Sequence, residues 1–454
     1  MTITGQKPTR EQADTPTARL GTAYQFEIVK LLAQWCVRIV LLVCWVAPGA
    51  FVAVVSGQSS LPTDTVFGRW MPATGWAGSL VVLSFCCTWA LPLLTALVAG
   101  DVFAAEDRLG TWRHLVMAVR SPRRIFAAKA GASICVVAVM VLGLAASSIV
   151  GGLLAVGNHA LVGLDGRSID PGHAGWLVLL AWAYVGLATL AFAAVGLLGS
   201  VALGRSPIGL LGPALLAFVL QLLQLLPLPV AVRLALPSQA FLAWRGLFTR
   251  PEQTGPLLVG LVVNLVWTVV VVALAYRVFM RRDFTDLAYE GSGRRSMVVI
   301  ALPVAALVAL TVGVLSVVTP AGGSGIEKAK VERSLATSFA HLYRLQSRQL
   351  NRPDVTEAQL GTGASCDKGG SLVEDNGPGN DWRCVVSWHI PGAVVTGSAI
   401  YQLNIAADGK FAADGDGPNA VNGYFPVRTR TGLTPNPLWQ VDGLVDLLPS
   451  QSKG

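Results

Sequence analysis

Seven long apolar runs dominate the chain, at residues 31–56, 78–101, 130–156, 175–203, 207–229, 257–279 and 296–318. Each is close to the roughly 20 residues a helix needs to cross hydrocarbon. Between the second and third runs the pattern changes. In "AAEDRLGTWRHLVMAVRSPRRIFAAK", residues 104–129, Leu109, Trp112, Leu115, Val116 and Val119 recur every three to four positions, while Arg113, Arg120 and the Asp107/Arg108 pair fall on the other face. This pattern predicts a basic amphipathic helix over about 106–119, interrupted at Ser121–Pro122 because a residue before proline avoids the helical region. After residue 319 the apolar runs stop. A flexible "AGGSG" at 321–325 leads into a second amphipathic helix over 326–350, with Val331, Leu335, Phe339, Leu342 and Leu345 on one stripe. Alternation then takes over, with Cys384, Val386, Trp388 and Ile390 on one strand face, Tyr401, Leu403 and Ile405 on another, and a turn at 407–411 before a further strand.

The expected fold is therefore an α-helical polytopic membrane protein ending in a small α+β domain. Residues 1–30 form a leader, 31–279 carry six spans, 280–319 hold a linker and the seventh span, and 320–454 form the domain. Composition agrees: 53% of the 454 residues are hydrophobic and 13% charged, and the mean hydropathy is +0.57. The net charge of +8 then reports on orientation, not on a nucleic-acid partner. With residues 1–30 in the cytoplasm, the cytoplasmic segments hold sixteen Lys and Arg. The opposite ones hold five: Arg69, Arg167, Arg233, Arg245 and Arg250. The positive-inside rule favours this orientation, and seven spans then put the C-terminal domain outside the cell membrane.

Of seven cysteines, five lie in or beside apolar runs and read as small core residues. Cys366 and Cys384 flank a polar loop in the tail. They are read as a disulfide, the external placement supplying the oxidising compartment, against the alternative of two free thiols. Gln221 and Gln224, three apart in the fifth run, and Asn264 in the sixth are candidates for a polar transport path; hydrogen bonding between helices explains them as well. The row Gly143, Ser147, Gly151 marks close helix packing, within the chain or across a dimer. Residues 230–256 read as short interfacial or re-entrant helices with Trp244 at headgroup depth, or as a plain loop.

Several chemistries are missing from the sequence. It has no phosphate-binding G-x-x-x-x-G-K-[ST] loop, no G-x-S-x-G elbow and no H-E-x-x-H helix, and its five histidines have no ligand spacing. Neither catalytic residues nor a metal site is expected. On physics alone, the 106–119 segment serves equally as an interfacial anchor or as a docking surface.

Glu106, Asp107 and Arg108, followed by Gly110–Thr111, an aliphatic helix through Leu115, then Pro122, Arg123, Arg124 and Lys129, resemble the cytoplasmic loop of type-2 ABC transporter permeases. Trp112 departs from the aliphatic or polar residue more common there, and whether it faces lipid or a partner is open. The resemblance implies that this loop is a coupling helix docking on a separate P-loop ATPase subunit. That subunit would bind ATP and Mg, with no cofactor in this chain, and two permeases would pair as a homodimer or heterodimer. The implied function is the membrane subunit of an exporter for an amphiphilic cargo such as a drug, lipid, peptide or polymer. The seventh span and the outer domain fall outside the family plan. The competing reading is a membrane-anchored extracellular ligand-binding or sensor protein, although one span would suffice for that task.

Overall fold

The computed structural model describes residues 19–58, 61, 66–119, 121–203, 207–282, 293–319, 323–430 and 432–448. Most of the leader, the linker residues 283–292, and Arg120 and Arg205 lie outside them. Six helices are long and apolar enough to cross a membrane: Trp35–Ser56, Gly75–Leu109, Pro122–Ala155, Pro171–Leu203, Thr254–Met280 and Ala301–Val318. They correspond to expected spans one to four, six and seven. The fifth is the helix Pro207–Leu225, whose described apolar stretch, Leu211–Leu225, is shorter. The chain is a multi-pass membrane protein.

The ends of these helices differ from the sequence reading in instructive ways. The leader is not all polar approach: Leu20–Ala33 is helical, and the first span begins only at Trp35, after an extended break at Gln34. Arg38 closes that break by donating from Nε to the Leu32 carbonyl at 2.6 Å. Span two runs on through Asp101 to Leu109 as one continuous rod. Pro92 has no N–H for the carbonyl one turn back and its ring would press on it. The helix widens into a π turn over Cys86–Ala90, where the Leu91 N–H reaches the Cys86 carbonyl. Span three likewise starts early, at Pro122, so Arg123, Arg124 and Lys129 belong to its first turns.

Small residues set how closely the spans approach. A Cβ on Gly151 would lie 2.4 Å from Gly49 Cα, and one on Gly75 would lie 2.5 Å from the Gly152 carbonyl. The predicted row on span three thus packs within the chain, against spans one and two, and Ser147 Oγ accepts the Gly49 N–H at 3.0 Å. Gly196 does the same for span four against the Ala96 carbonyl of span two.

Spans three and four are joined at one end of the bundle by a hairpin of β1 (Leu161–Val162) and β2 (Ser168–Ile169). At the same end, span five stops at Leu225 before Pro227 and Pro229. The chain then folds back through short helical pieces: Val230–Ala235, Pro237–Gln239, Ala240–Ala243 and Trp244–Phe248. Trp244 is 2% exposed, packed edge-on to Phe248. Its ring is covered by protein.

The C-terminal region is a separate α+β unit. Its antiparallel sheet runs in the order β3 (Gly363–Lys368), β4 (Gly379–Trp388), β5 (Gly397–Ile405), β6 (Lys410–Gly415), β9 (Gln440–Leu444), with β7 (Pro426–Thr429) and β8 (Gly432–Pro435) as a side hairpin. The helix Lys328–Gln349 lays Val331, Leu335 and Phe339 on one sheet face, against Trp382, Val386, Tyr401 and Phe411. Ile390 does not join that face. The strand ends at Trp388, ahead of Pro391–Gly392, and leaves Ile390 exposed. Cys366 and Cys384 are register partners on β3 and β4 and form the disulfide beneath the helix.

Candidate functional site: an ion and aromatic knot under a short helix

The stretch between spans two and three builds the most concentrated polar site in the bundle, at the end opposite the C-terminal domain. The predicted helix over 106–119 is in fact two elements. Glu106, Asp107 and Arg108 form the last turn of span two, and the short helix spans Trp112–Val119. Gly110 separates them. Its φ of 68° is left-handed, and its N–H closes on the Glu106 carbonyl, a C-terminal cap suited to glycine. Leu109 consequently leaves the expected stripe and is 63% exposed, while Trp112 and Val119 are buried and Leu115 and Val116 half-buried. At the far end Ser121 is extended and Pro122 opens span three at its first turn.

Acidic residues at a helix C-terminus oppose the helix dipole and require cations. Glu106 accepts from Lys129 Nζ at 2.7 Å, from Lys30 and from the Thr111 hydroxyl. Lys129 also reaches Glu27 Oε2 at 2.8 Å. Two acids and two lysines therefore balance, with Lys129, Glu27 and Glu106 at most 4% exposed. Asp107 forms a second balanced pair. Arg282, just beyond span six, grips both its oxygens, and Trp112 Nε1 donates to Oδ1 at 2.7 Å. Arg108 stays outside this knot, 54% exposed and 3.2 Å from Asp101.

Trp112 faces neither lipid nor open surface. Its ring stacks on Phe103 of span two at 6.2 Å, tilts against Phe279 of span six at 5.8 Å, and carries the Arg282 guanidinium 5.4 Å from its centroid. Phe126 of span three closes the cluster, 5.6 Å from both phenylalanines. The short helix is thus fastened to spans two and six, beside Phe126 of span three, while the leader helix is tied to spans two and three through Glu106 and Lys129. Its outer side offers Arg113, His114 and Met117, beside exposed Leu109, Arg123 and Arg124.

Sequence reasoning missed Glu27, Lys30, Phe103, Phe126, Phe279 and Arg282. Glu27 and Lys30 carry a signal, since they lie three apart in an amphipathic leader. The aromatics are indistinguishable from ordinary span residues until the helices are assembled.

The polar residues of spans five and six meet around the folded-back segment. Gln224 Nε2 donates to the Arg233 carbonyl at 3.1 Å and to Ser238 Oγ at 3.0 Å, and Asn264 Nδ2 donates to the Pro237 carbonyl at 3.1 Å. These bonds satisfy broken-helix backbone, the role hydrogen bonding between helices predicts. Gln221 is buried with Nε2 unpaired among the described residues.

The C-terminal domain grips the same segment from above. Arg233 donates to the Ala407 carbonyl, Arg245 pairs with Asp408 at 2.5 Å, and Gln253 donates to the Leu444 carbonyl at 3.0 Å. Burial disfavours the Asp408 carboxylate, but Arg245 outweighs it and holds the carboxyl below its usual range. On the β1–β2 side, His341 lies 3.2 Å from Asp165 and 3.4 Å from Glu357.

Residues 23–170, the leader helix through the β1–β2 hairpin, match the family model described as ABC-2 family transporter protein. No curated protein matches the chain.

Proposed function

We propose that this chain, whose residues 23–170 match the ABC-2 family transporter model, is the membrane subunit of an ATP-driven exporter of amphiphilic cargo whose energy comes from a separate P-loop ATPase subunit. The observation that carries this reading is the two-sided short helix Trp112–Val119. Its inner edge is tied through Trp112 and Asp107 to spans two, three and six, and its outer edge is exposed. A partner pressing on that outer edge would move a bonded block rather than a loose loop, the requirement for transmitting closure of a nucleotide site into the spans. ATP and Mg would stay with the partner. The permease would work as a pair, with its N-terminus cytoplasmic and its C-terminal domain outside. The disulfide supports that orientation, since such bonds persist in oxidising compartments.

The decisive experiment is affinity purification of the detergent-solubilised chain from its native membrane. A P-loop ATPase should co-purify and be lost in Leu109→Asp/Met117→Asp, which alters only exposed positions. An intact complex with that variant would refute the docking face.

A further inference from the structure

Between the C-terminal domain and the bundle lies a cavity of about 410 Å³. Trp70, Leu164, Leu342, Phe425 and Trp439 line it, together with Pro435. It continues in both directions. Toward span two it shares Trp70 and Leu164 with a recess of about 220 Å³ walled by Phe67 and Phe85. Phe85 is 61% exposed on the flank of that span, so the recess opens sideways, where lipid chains would lie. Toward the β1–β2 hairpin the cavity shares Gly166 and Leu345 with a polar chamber of about 170 Å³ lined by Arg167, Arg250, Arg344 and Arg348.

The charges in that chamber are unequal. Arg344 is engaged by Asp354 and Glu357, and His341 by Asp165 and Glu357. Arg167, Arg250 and Arg348 make no salt bridge among the described residues. Two guanidinium groups without a carboxylate, Arg167 and Arg250, therefore stand at the end of an apolar passage, beside Arg348, whose charge also reaches Asp354. Ligand sites are typically apolar with a few placed polar groups, and arginine favours carboxylate and phosphate oxygens.

We infer that this passage binds an acidic amphiphile with a single acyl chain, its chain in the aromatic cavity and its anionic head among Arg167, Arg250 and Arg348. The site deepens the transport reading by naming a cargo class, and rests on it only for what happens after binding. The walls come from three separate segments: the stretch before span two, the β1–β2 hairpin and the C-terminal domain. The passage therefore exists only when the domain is docked. Entry from the flank of span two lets a chain slide in from the bilayer without crossing water.

The test uses the full-length protein in phosphatidylcholine nanodiscs, with a diazirine-bearing fatty acid as photoprobe. Labelling should be saturable and map to segments 66–73, 161–168 and 434–442. Oleate and oleoyl lysophosphatidate should compete, and their ranking identifies carboxylate or phosphate as the preferred head; oleyl alcohol should not. Arg250→Ala/Arg348→Ala, at exposed positions, should weaken oleate competition by about tenfold or more. Leu345→Trp, which fills the junction of the two chambers, should remove labelling of 434–442. Labelling that does not saturate, equal competition by the alcohol, or unchanged competition in the arginine double variant overturns the proposal. None of these readouts involves an ATPase, so failure here is distinct from failure to co-purify one.

Discussion

The indole of Trp112 donates to Asp107 Oδ1 at 2.7 Å across the left-handed turn at Gly110, while Arg282 holds the same carboxylate from the far side. One aspartate thus joins the short helix to spans two and six. Trp112→Phe keeps the stacking on Phe103 and Phe279 but deletes the donor. The expected result is a protein that folds and still assembles with the proposed ATPase, with fewer cargo molecules moved per ATP hydrolysed. Trp112→Ala also empties the aromatic cluster and should cost about 3–5 kcal/mol of stability. Thermal unfolding in detergent alongside reconstituted transport separates the two variants.

Lys129 carries the heaviest electrostatic role. Lys129→Met leaves Glu27 and Glu106 facing each other with only Lys30 for compensation, and breaking a buried pair from one side costs about 3–5 kcal/mol. Adding Glu27→Gln, as Lys129→Met/Glu27→Gln, leaves Glu106 paired with Lys30, removes the uncompensated charge and should recover much of that loss. A double variant no more stable than Lys129→Met would show that packing, not charge, dominates the site.

At Gly110 the constraint is backbone. Its φ of 68° is closed to proline, whose ring fixes φ near about −65°. Gly110→Pro should insert into the membrane normally yet abolish transport, since the short helix would leave its seat. Gly110→Asn, which tolerates the left-handed region, should retain most activity. Equal transport by all three proteins would mean that the turn is mechanically irrelevant.

His341 makes the contact between the C-terminal domain and the β1–β2 hairpin sensitive to pH. Burial favours its neutral form, but the hydrogen bond to Asp165 and the charges of Asp165 and Glu357 outweigh burial and raise its pKa above the ordinary histidine value. A raised folded-state pKa stabilises the contact fully below the unfolded value, and that contribution disappears as pH climbs through the folded value. Hydrogen-exchange protection of residues 161–169 should therefore fall with rising pH, after correction for intrinsic exchange, and the trend should flatten in His341→Ala. A slope unchanged by that substitution would assign the effect to another group.

The apolar runs made the spans legible, because nothing but a helix satisfies its own backbone in hydrocarbon. The site was only half legible, for the same reason. Glu106, Asp107 and Arg108 read as the start of a separate amphipathic helix because charge normally marks the end of a span. Here the two acids are neutralised by Lys129, Lys30 and Arg282 from other segments, which lets span two continue to Leu109. Trp244 was legible only in part: its sequence position near a span end says nothing of the ring's burial in the bundle core. Partners distant in sequence decided each case, and one sequence carries no direct record of them.

The Cys366–Cys384 pair offers a last prediction, on both stability and topology. The two residues are opposite each other on β3 and β4, and their side chains lie in the domain core, 1% and 0% exposed. A crosslink closing a loop of this length stabilises by about 3 kcal/mol, chiefly by restricting the unfolded chain. Cys366→Ala/Cys384→Ala should lower the domain's unfolding temperature while leaving the membrane helices intact, because the sheet forms a core distinct from that of the bundle. After rapid lysis of cells in denaturant, a maleimide should label Cys366 and Cys384 only once a reductant has been added. Labelling without prior reduction would place the domain in a reducing compartment and reverse the proposed orientation.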